Sequence, residues 1–330
     1  MDNTKHTQTN NKTGSGIVNE SVLANPYEYH KGNNNVEISL TKKYPDFHHY
    51  KLQFRSAIDT GYAENGVVKS ELYLPQAQHQ FPLMILVHGM GDLSIIPCKL
   101  IARQLVKEGI ACCIPYLTIH SKRMPLPMKQ KFPVFSDKEW FQSYRLSVID
   151  IRQIIDWADD NGEYNTENTG VLGISFGGLV SSIAMGADQR IKAGVFIVSG
   201  GNSPKIEWLS QNRRYQKSSK LSEEKYHEKQ HAYNLYLDEV SRNGFQNVKA
   251  PFPGYLLDPM TYASNIKNRR VQMINAKYDK YIPRQAAIDF WEACGKPPIK
   301  WIPLGHTSLW LWAPAIVKTV RRFAVESFEL

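Results

Sequence analysis

Residues 169–180 read Thr169-Gly170-Val171-Leu172-Gly173-Ile174-Ser175-Phe176-Gly177-Gly178-Leu179-Val180. The run up to Ile174 is short and apolar, as a buried strand is, while Leu179, Val180, Ile183 and Ala184 recur at helical spacing. Between the two stands Gly-x-Ser-x-Gly, from Gly173 to Gly177. A strand that passes directly into a helix leaves Ser175 at the apex of a tight turn. There the flanking glycines let backbone segments approach, and the helix N-terminus favours negative charge that develops nearby. Three fixed positions alone carry little specificity; the strand before and the helix after give them meaning.

Upstream, Leu83-Met84-Ile85-Leu86-Val87 is continuously apolar, as expected of a strand buried on both faces of a parallel sheet, and it ends in the turn His88-Gly89-Met90-Gly91-Asp92. Ile95, Ile96, Leu100, Ile101, Leu105 and Val106 then keep helical spacing up to a stop at Gly109, and Ile110 to Ile114 reads as the next strand. Asp137 to Asp159 places Trp140, Tyr144, Val148, Ile151 and Ile155 on one helical face. Downstream, Ile191–Val198, Val271–Asn275 and Ile299–Ile302 read as strands, with helices over Arg284–Ala293 and Ser308–Phe328. This alternation predicts an α/β protein with a doubly wound, mostly parallel sheet. Two alternating runs, around Tyr50, Leu52 and Phe54 and from Val67 to Leu74, add a pair of strands before it.

Residues 1–35 are rich in Asn and poor in apolar side chains and read as a flexible tail. The core is expected over 36–201 and 263–330. Residues 202–262 break the alternation with many Tyr, Lys and Glu residues and a Pro-rich exit, and read as an inserted helical cap.

The 330 residues are 42% hydrophobic and 22% charged, enough to bury a sizeable core without metals or disulfides. Net charge is +9, but the basic clusters, Arg213-Arg214 with Lys217 and Lys220, and Lys267 with Arg269-Arg270, are short and interleaved with polar residues. With no recognised nucleic-acid motif, no nucleic-acid partner is expected. No apolar stretch approaches the ~20 residues of a membrane span, so no integral membrane segment is expected. Four cysteines, two of them adjacent in an apolar run, favour a reducing, cytoplasmic setting.

A serine hydroxyl is a weak nucleophile and needs a positioned base, itself oriented by a carboxylate. Asp279 follows the Val271–Asn275 strand and His306 follows the Ile299–Ile302 strand, both in loops at strand carboxyl ends, which converge on one edge of a parallel sheet. Asp258 is a rival acid. Phe176 offers one backbone N–H for an oxyanion hole and the His88–Gly91 turn a second, through Met90. His88 itself reads as a brace for that turn. His227-Glu228-Lys229-Gln230-His231 spells the helical zinc motif H-E-x-x-H, but it lacks a third ligand, so neither a metal nor a cofactor is expected.

In the His88-Gly89 turn, the Gly173–Gly177 elbow, the Asp279 loop and the Gly305-His306 loop, taken in order, the chain resembles the α/β-hydrolase family from about residue 48 to its end. The resemblance implies that Ser175 is the nucleophile, His306 the general base and Asp279 its orienting acid, with a cap at 202–262. It implies a serine hydrolase cleaving carboxylic esters through an acyl-enzyme. Thioesterase, lactonase, acyltransferase or serine peptidase activity uses the same scaffold, as does a catalytically silent ligand-binding protein. The substrate expected is a small-molecule ester with a hydrophobic or aromatic part. That part would meet aromatic residues of the insertion (Trp208, Tyr215, Tyr226, Tyr233, Tyr236, Phe245, Phe252, Tyr255).

Overall fold

The computed structural model describes residues 23–32, 35–76, 80–91, 94–118, 120–131, 135–211 and 221–330. The basic cluster at Arg213, Arg214, Lys217 and Lys220, with Tyr215, lies outside them. The strands are β1 (Glu37–Lys43), β2 (Phe47–Arg55), β3 (Val67–Pro75), β4 (Phe81–Val87), β5 (Ala111–Pro115), β6 (Tyr164–Ile174), β7 (Ile191–Ile197), β8 (Arg270–Ala276) and β9 (Ile299–Ile302). They form one sheet in the order β1-β2-β3-β5-β4-β6-β7-β8-β9. From β5 to β9 every pairing is parallel, while β1, β2 and β3 are antiparallel additions at one side.

The main helices are α1 (Ile95–Leu105), α2 (Asp137–Asn161), α3 (Phe176–Ala187), α4 (Ser203–Leu209), α5 (Glu223–Asn243), α6 (Arg284–Ala293) and α7 (Ala313–Phe328), with shorter ones at Leu126–Lys131 and Ala263–Ile266. They explain the unbroken apolar run in β4. Leu83, Ile85 and Val87 share a core with Val148 and Ile151 of α2, Val180 and Ile183 of α3 and Phe290 of α6. Met84 and Leu86 share the opposite core with Ile101 and Leu105 of α1 and Ile316 and Val320 of α7. Burial on both faces removes any advantage from alternation. At the start of α2, Ser136 and Glu139 form a reciprocal capping box, which fixes where the helix begins.

Two parts differ from the sequence expectation. Strand β1 gives no sequence signal because all seven of its residues are exposed; ladder hydrogen bonds to β2 make it a strand, not burial. The stretch read as a flexible tail is, over residues 23–32, docked onto the body. Tyr27 is buried and donates its hydroxyl to the Leu256 carbonyl at 2.7 Å, and Tyr29 donates to Asp156 at 2.6 Å. Composition misled there because two tyrosines, each with an acceptor for its hydroxyl, suffice to anchor a polar segment.

Within 202–262, α4 and α5 are followed by short turns of 3-10 helix at Phe245–Asn247, Pro253–Leu257 and Pro259–Tyr262. The inward face of α5 buries Tyr233, Tyr236 and Val240. Tyr255 packs on Tyr233 and Tyr236 at 4.6 and 5.1 Å between ring centres, and Phe245 packs on Tyr262 at 4.7 Å. Trp208 and Tyr226 stack on each other at 5.1 Å. Much of the aromatic content of this insertion is therefore spent on packing its own segments together.

Candidate active site

Three parallel strand ends converge on Ser175. Its backbone has φ 55° and ψ −120°, a conformation L side chains adopt rarely and at a cost, and its N–H is held by the Ile197 carbonyl of β7 at 2.9 Å. The two glycines of the motif are steric requirements. A Cβ on Gly173 would stand 2.2 Å from the Gly177 carbonyl oxygen, and one on Gly177 would stand 2.2 Å from that of Val87 at the end of β4. The turn is thus wedged between its neighbours with no room for a methyl group. In the next strand over, Val198 also takes a positive φ, 45°, unusual for a β-branched residue, and donates its N–H to Ile274 of β8.

The turn aims Ser175 Oγ at His306, whose Nε2 lies 2.8 Å away although the residues are 131 positions apart. On the other side of the ring, Nδ1 lies 2.7 Å from Asp279 Oδ2. An ionised carboxylate only accepts, so Nδ1 carries the proton and the bare Nε2 accepts from the serine hydroxyl. Asp279 is itself fixed: its Oδ1 accepts the N–H groups of Tyr281 at 2.8 Å and Ile282 at 3.0 Å, and its side chain is 3% exposed. The three residues expected from the sequence are brought together in the expected order. Asp258 is not among them. It accepts N–H bonds from Asn202, Ser203 and Met260 and so caps the start of α4 and the 259–262 turn.

His88, buried at the end of β4, braces the adjoining turn. Leu117 N–H donates to Nε2 at 3.1 Å, so Nδ1 is the protonated nitrogen and donates to the Gly89 carbonyl at 2.7 Å. Burial pushes the imidazole down to about 4, which keeps it neutral in both bonds at ordinary pH. Gly89 lies against Ser175: a Cβ there would stand 3.4 Å from Ser175 Cβ. Met90, next in the turn, is partly exposed beside it. Phe176 opens α3, so its N–H has no acceptor within the helix.

The rings packed on Phe176 and on His306 were missed as site residues by the sequence reading. Phe176 packs against His120 at 5.1 Å, Tyr144 at 4.8 Å and Trp140 at 5.9 Å, and Tyr281 lies over His306 at 4.8 Å. Trp140 and Tyr144 had a signal, the helical face they share, but it reads equally as core. The loop carrying His120 is held from beneath by Arg123, fully buried, which bonds Asp150 at 2.6 Å and the carbonyls of Tyr116 and Asn65. Nothing in the sequence marks Arg123 as a buried strut, since its partners come from three distant segments. His227 and His231 lie on the outer face of α5, with His227 3.8 Å from Glu223. Among the described residues, no group of three or more His, Cys, Asp or Glu side chains is arranged to hold a metal ion.

A family model described as Alpha/beta hydrolase domain containing 18 matches residues 28–329. The chain belongs to that family. Among solved structures, this α/β-hydrolase is similar to acetyl xylan esterase 1 from Thermoanaerobacterium sp. JW/SL YS485, with a TM-score of 0.59, 15% identity and 93% of each chain covered. It is also similar to an acetyl xylan esterase from Paenibacillus sp. R4, with a TM-score of 0.56, 18% identity and coverage of 92% of this chain and 91% of that one. A third likeness is to the acylaminoacyl peptidase of Pyrococcus horikoshii, with a TM-score of 0.57 and 15% identity, covering 87% of this chain but 42% of the peptidase. At these identities the likeness is one of fold. A curated relative, the uncharacterized protein Rv2627c of Mycobacterium tuberculosis, is 25% identical over 256 residues, which are 75% of this chain and 54% of that protein. The chain thus spans about half the length of the curated relatives it matches. No helix among the described residues is long and apolar enough to cross a membrane.

Proposed function

We propose that this α/β-hydrolase cleaves carboxylic esters through an acyl-enzyme on Ser175. The observation that carries the reading is the unbroken line of hydrogen bonds from Ser175 Oγ through His306 to Asp279, at 2.8 and 2.7 Å, at the carboxyl edge of a parallel sheet. In the proposed cycle the Ser175 hydroxyl proton passes to His306 Nε2 as Oγ bonds the carbonyl carbon. The carbonyl electron pair moves to oxygen, and the N–H groups of Phe176 and Met90 receive that oxyanion. When the tetrahedral intermediate collapses, the bond to the leaving oxygen breaks and His306 returns the proton to it. Water, deprotonated by the same nitrogen, then releases the acid. Asp279 holds the ring in the tautomer both half-reactions need and stabilises it when it is charged.

The substrate is a small-molecule ester with a hydrophobic or aromatic part, a reading supported by the rings of Trp140, Tyr144 and Tyr281 near the nucleophile and its base. The insertion at 202–262 acts as the cap beside the site; Ser210 and Gln211 bond the Lys280 carbonyl, next to Asp279. Buried, unpaired Cys98, Cys112, Cys113 and Cys294 support a reducing, cytoplasmic setting.

The test is turnover of a p-nitrophenyl ester series, from acetyl to long acyl, by the native protein and by Ser175→Ala, with covalent fluorophosphonate labelling. The expected result is labelling and turnover that both vanish in the variant. Labelling of Ser175 with turnover of thioesters or peptides alone would move the reaction to those bonds. A folded native protein that takes no label would replace the enzyme with a ligand-binding protein of the same fold.

A further inference from the structure

We propose that Tyr281 is a specificity-determining residue, a platform on which the leaving alcohol stacks, so that the preferred substrates are esters of alcohols presenting a flat apolar ring. The inference rests on reading His306 as the group that returns a proton to the leaving oxygen. That transfer requires the leaving oxygen to come within about 3 Å of Nε2, so the carbon atoms it carries lie against the imidazole and its nearest neighbours. The ring of Tyr281 is such a neighbour: its centre is 4.8 Å from that of the imidazole, with the planes inclined by 35°.

The backbone that carries the ring is fixed before any substrate arrives. The Tyr281 N–H is bound to Asp279 Oδ1 at 2.8 Å, and the preceding carbonyl, that of Lys280, accepts from Gln211 N–H at 3.0 Å and Ser210 Oγ at 3.1 Å. A ring carried on an anchored backbone has less freedom to lose on stacking, which leaves more of the contact energy for discrimination. Tyr281 nonetheless remains 44% exposed, so much of an aromatic surface beside the base is unused by the fold. Tyr278, also exposed on the same loop, is a poorer platform, because Lys277 Nζ sits over its ring at 5.5 Å. The ring of Phe176 contrasts with this: it is enclosed by His120, Tyr144 and Trp140 and offers no comparable open face.

The experiment compares kcat/KM for benzyl acetate and 2-methoxyethyl acetate, which share an acyl group, in the native protein, Tyr281→Ala and Tyr281→Phe. Tyr281→Ala is expected to lose roughly five- to tenfold on the benzyl ester, the size of an aromatic pair contact, and markedly less on the methoxyethyl ester. Tyr281→Phe, which keeps the ring, is expected to retain the native preference. Equal losses on both esters, or loss of the preference in Tyr281→Phe, would overturn the platform.

Benzyl alcohol binding to Ser175→Ala, with and without Tyr281→Ala, reads the same contact without catalysis. Binding that disappears with the ring, while the native protein turns over no ester, would sustain the platform and overturn the catalytic reading. Turnover that depends on Ser175, with benzyl alcohol binding unaffected by Tyr281→Ala, would do the reverse.

Discussion

Among the described residues, two buried carboxylate–histidine pairs differ in what surrounds them. Glu71 and His49, on β3 and β2, approach to 2.5 Å, and Asp279 and His306 approach to 2.7 Å. Around Glu71 the remaining places are taken by Tyr116 at 2.5 Å, Lys99 at 3.1 Å and Lys122 at 3.6 Å. That carboxylate is saturated by donors, and its histidine stacks on Tyr73 at 4.6 Å within the antiparallel part of the sheet. Asp279 spends one oxygen on backbone N–H groups and the other on the imidazole, whose second nitrogen faces a serine hydroxyl at the end of a parallel strand. The pair itself is common to both places; a serine hydroxyl at the second nitrogen, on an edge where strand ends converge, distinguishes the second.

The sharpest way to break the comparison is to remove one charge from each pair. Asp279→Asn keeps a carbonyl oxygen for the Tyr281 and Ile282 N–H groups but turns an amide toward Nδ1, favouring the wrong tautomer. Ester turnover is expected to fall about 10⁴-fold in kcat, with circular dichroism unchanged. Glu71→Gln leaves Lys99, Lys122 and His49 without their counter-charge and is expected to cost on the order of 3 kcal/mol in urea unfolding, while kcat per folded molecule is retained. A large kinetic loss in Glu71→Gln, or none in Asp279→Asn, would erase the distinction.

Acid titration sharpens it further. Burial alone would raise the Glu71 carboxyl, but hydrogen bonds from His49, Tyr116 and Lys99 outweigh it and hold the group well below the usual carboxylate range. A depressed folded value means its stabilisation is present above pH ~4.3 and is lost as the pH falls below that point. His88 acts at higher pH. Its value near 4 lies below the ordinary ~6.5, so between those two the unfolded chain binds the extra proton and stability declines as pH falls. Urea midpoints should therefore drop in two stages on acidification, and Glu71→Gln should weaken the lower one, part of which remains with Asp188, whose carboxyl burial would raise but Arg190 and Arg152 hold down. A single stage in the native protein would contradict these assignments.

The smallest effect is expected where sequence offered a third histidine pattern. His227→Ala combined with His231→Ala, on the exposed face of α5, should change stability by less than about 0.5 kcal/mol and leave turnover and labelling unaltered. A tenfold drop in turnover that added zinc restores would reopen the metal reading of that helix.

The sequence by itself determined the parallel strands and their helices, because burial on both faces of β4 and helical spacing in α1, α2 and α3 leave a direct imprint on residue order. It also named Ser175, Asp279 and His306, since each stands at a strand end and the topology of a parallel sheet sends such ends to one edge. Tertiary structure decided what has no local imprint. Strand β1 exists through hydrogen bonds to a neighbour, Tyr27 is anchored by a carbonyl 229 residues away, and Arg123 becomes a strut because Asp150, Tyr116 and Asn65 meet around it. The glycines of the elbow fall between the two. Their spacing is legible in the chain, but only the packed strands reveal the absence of room for a methyl group at Gly173 and Gly177.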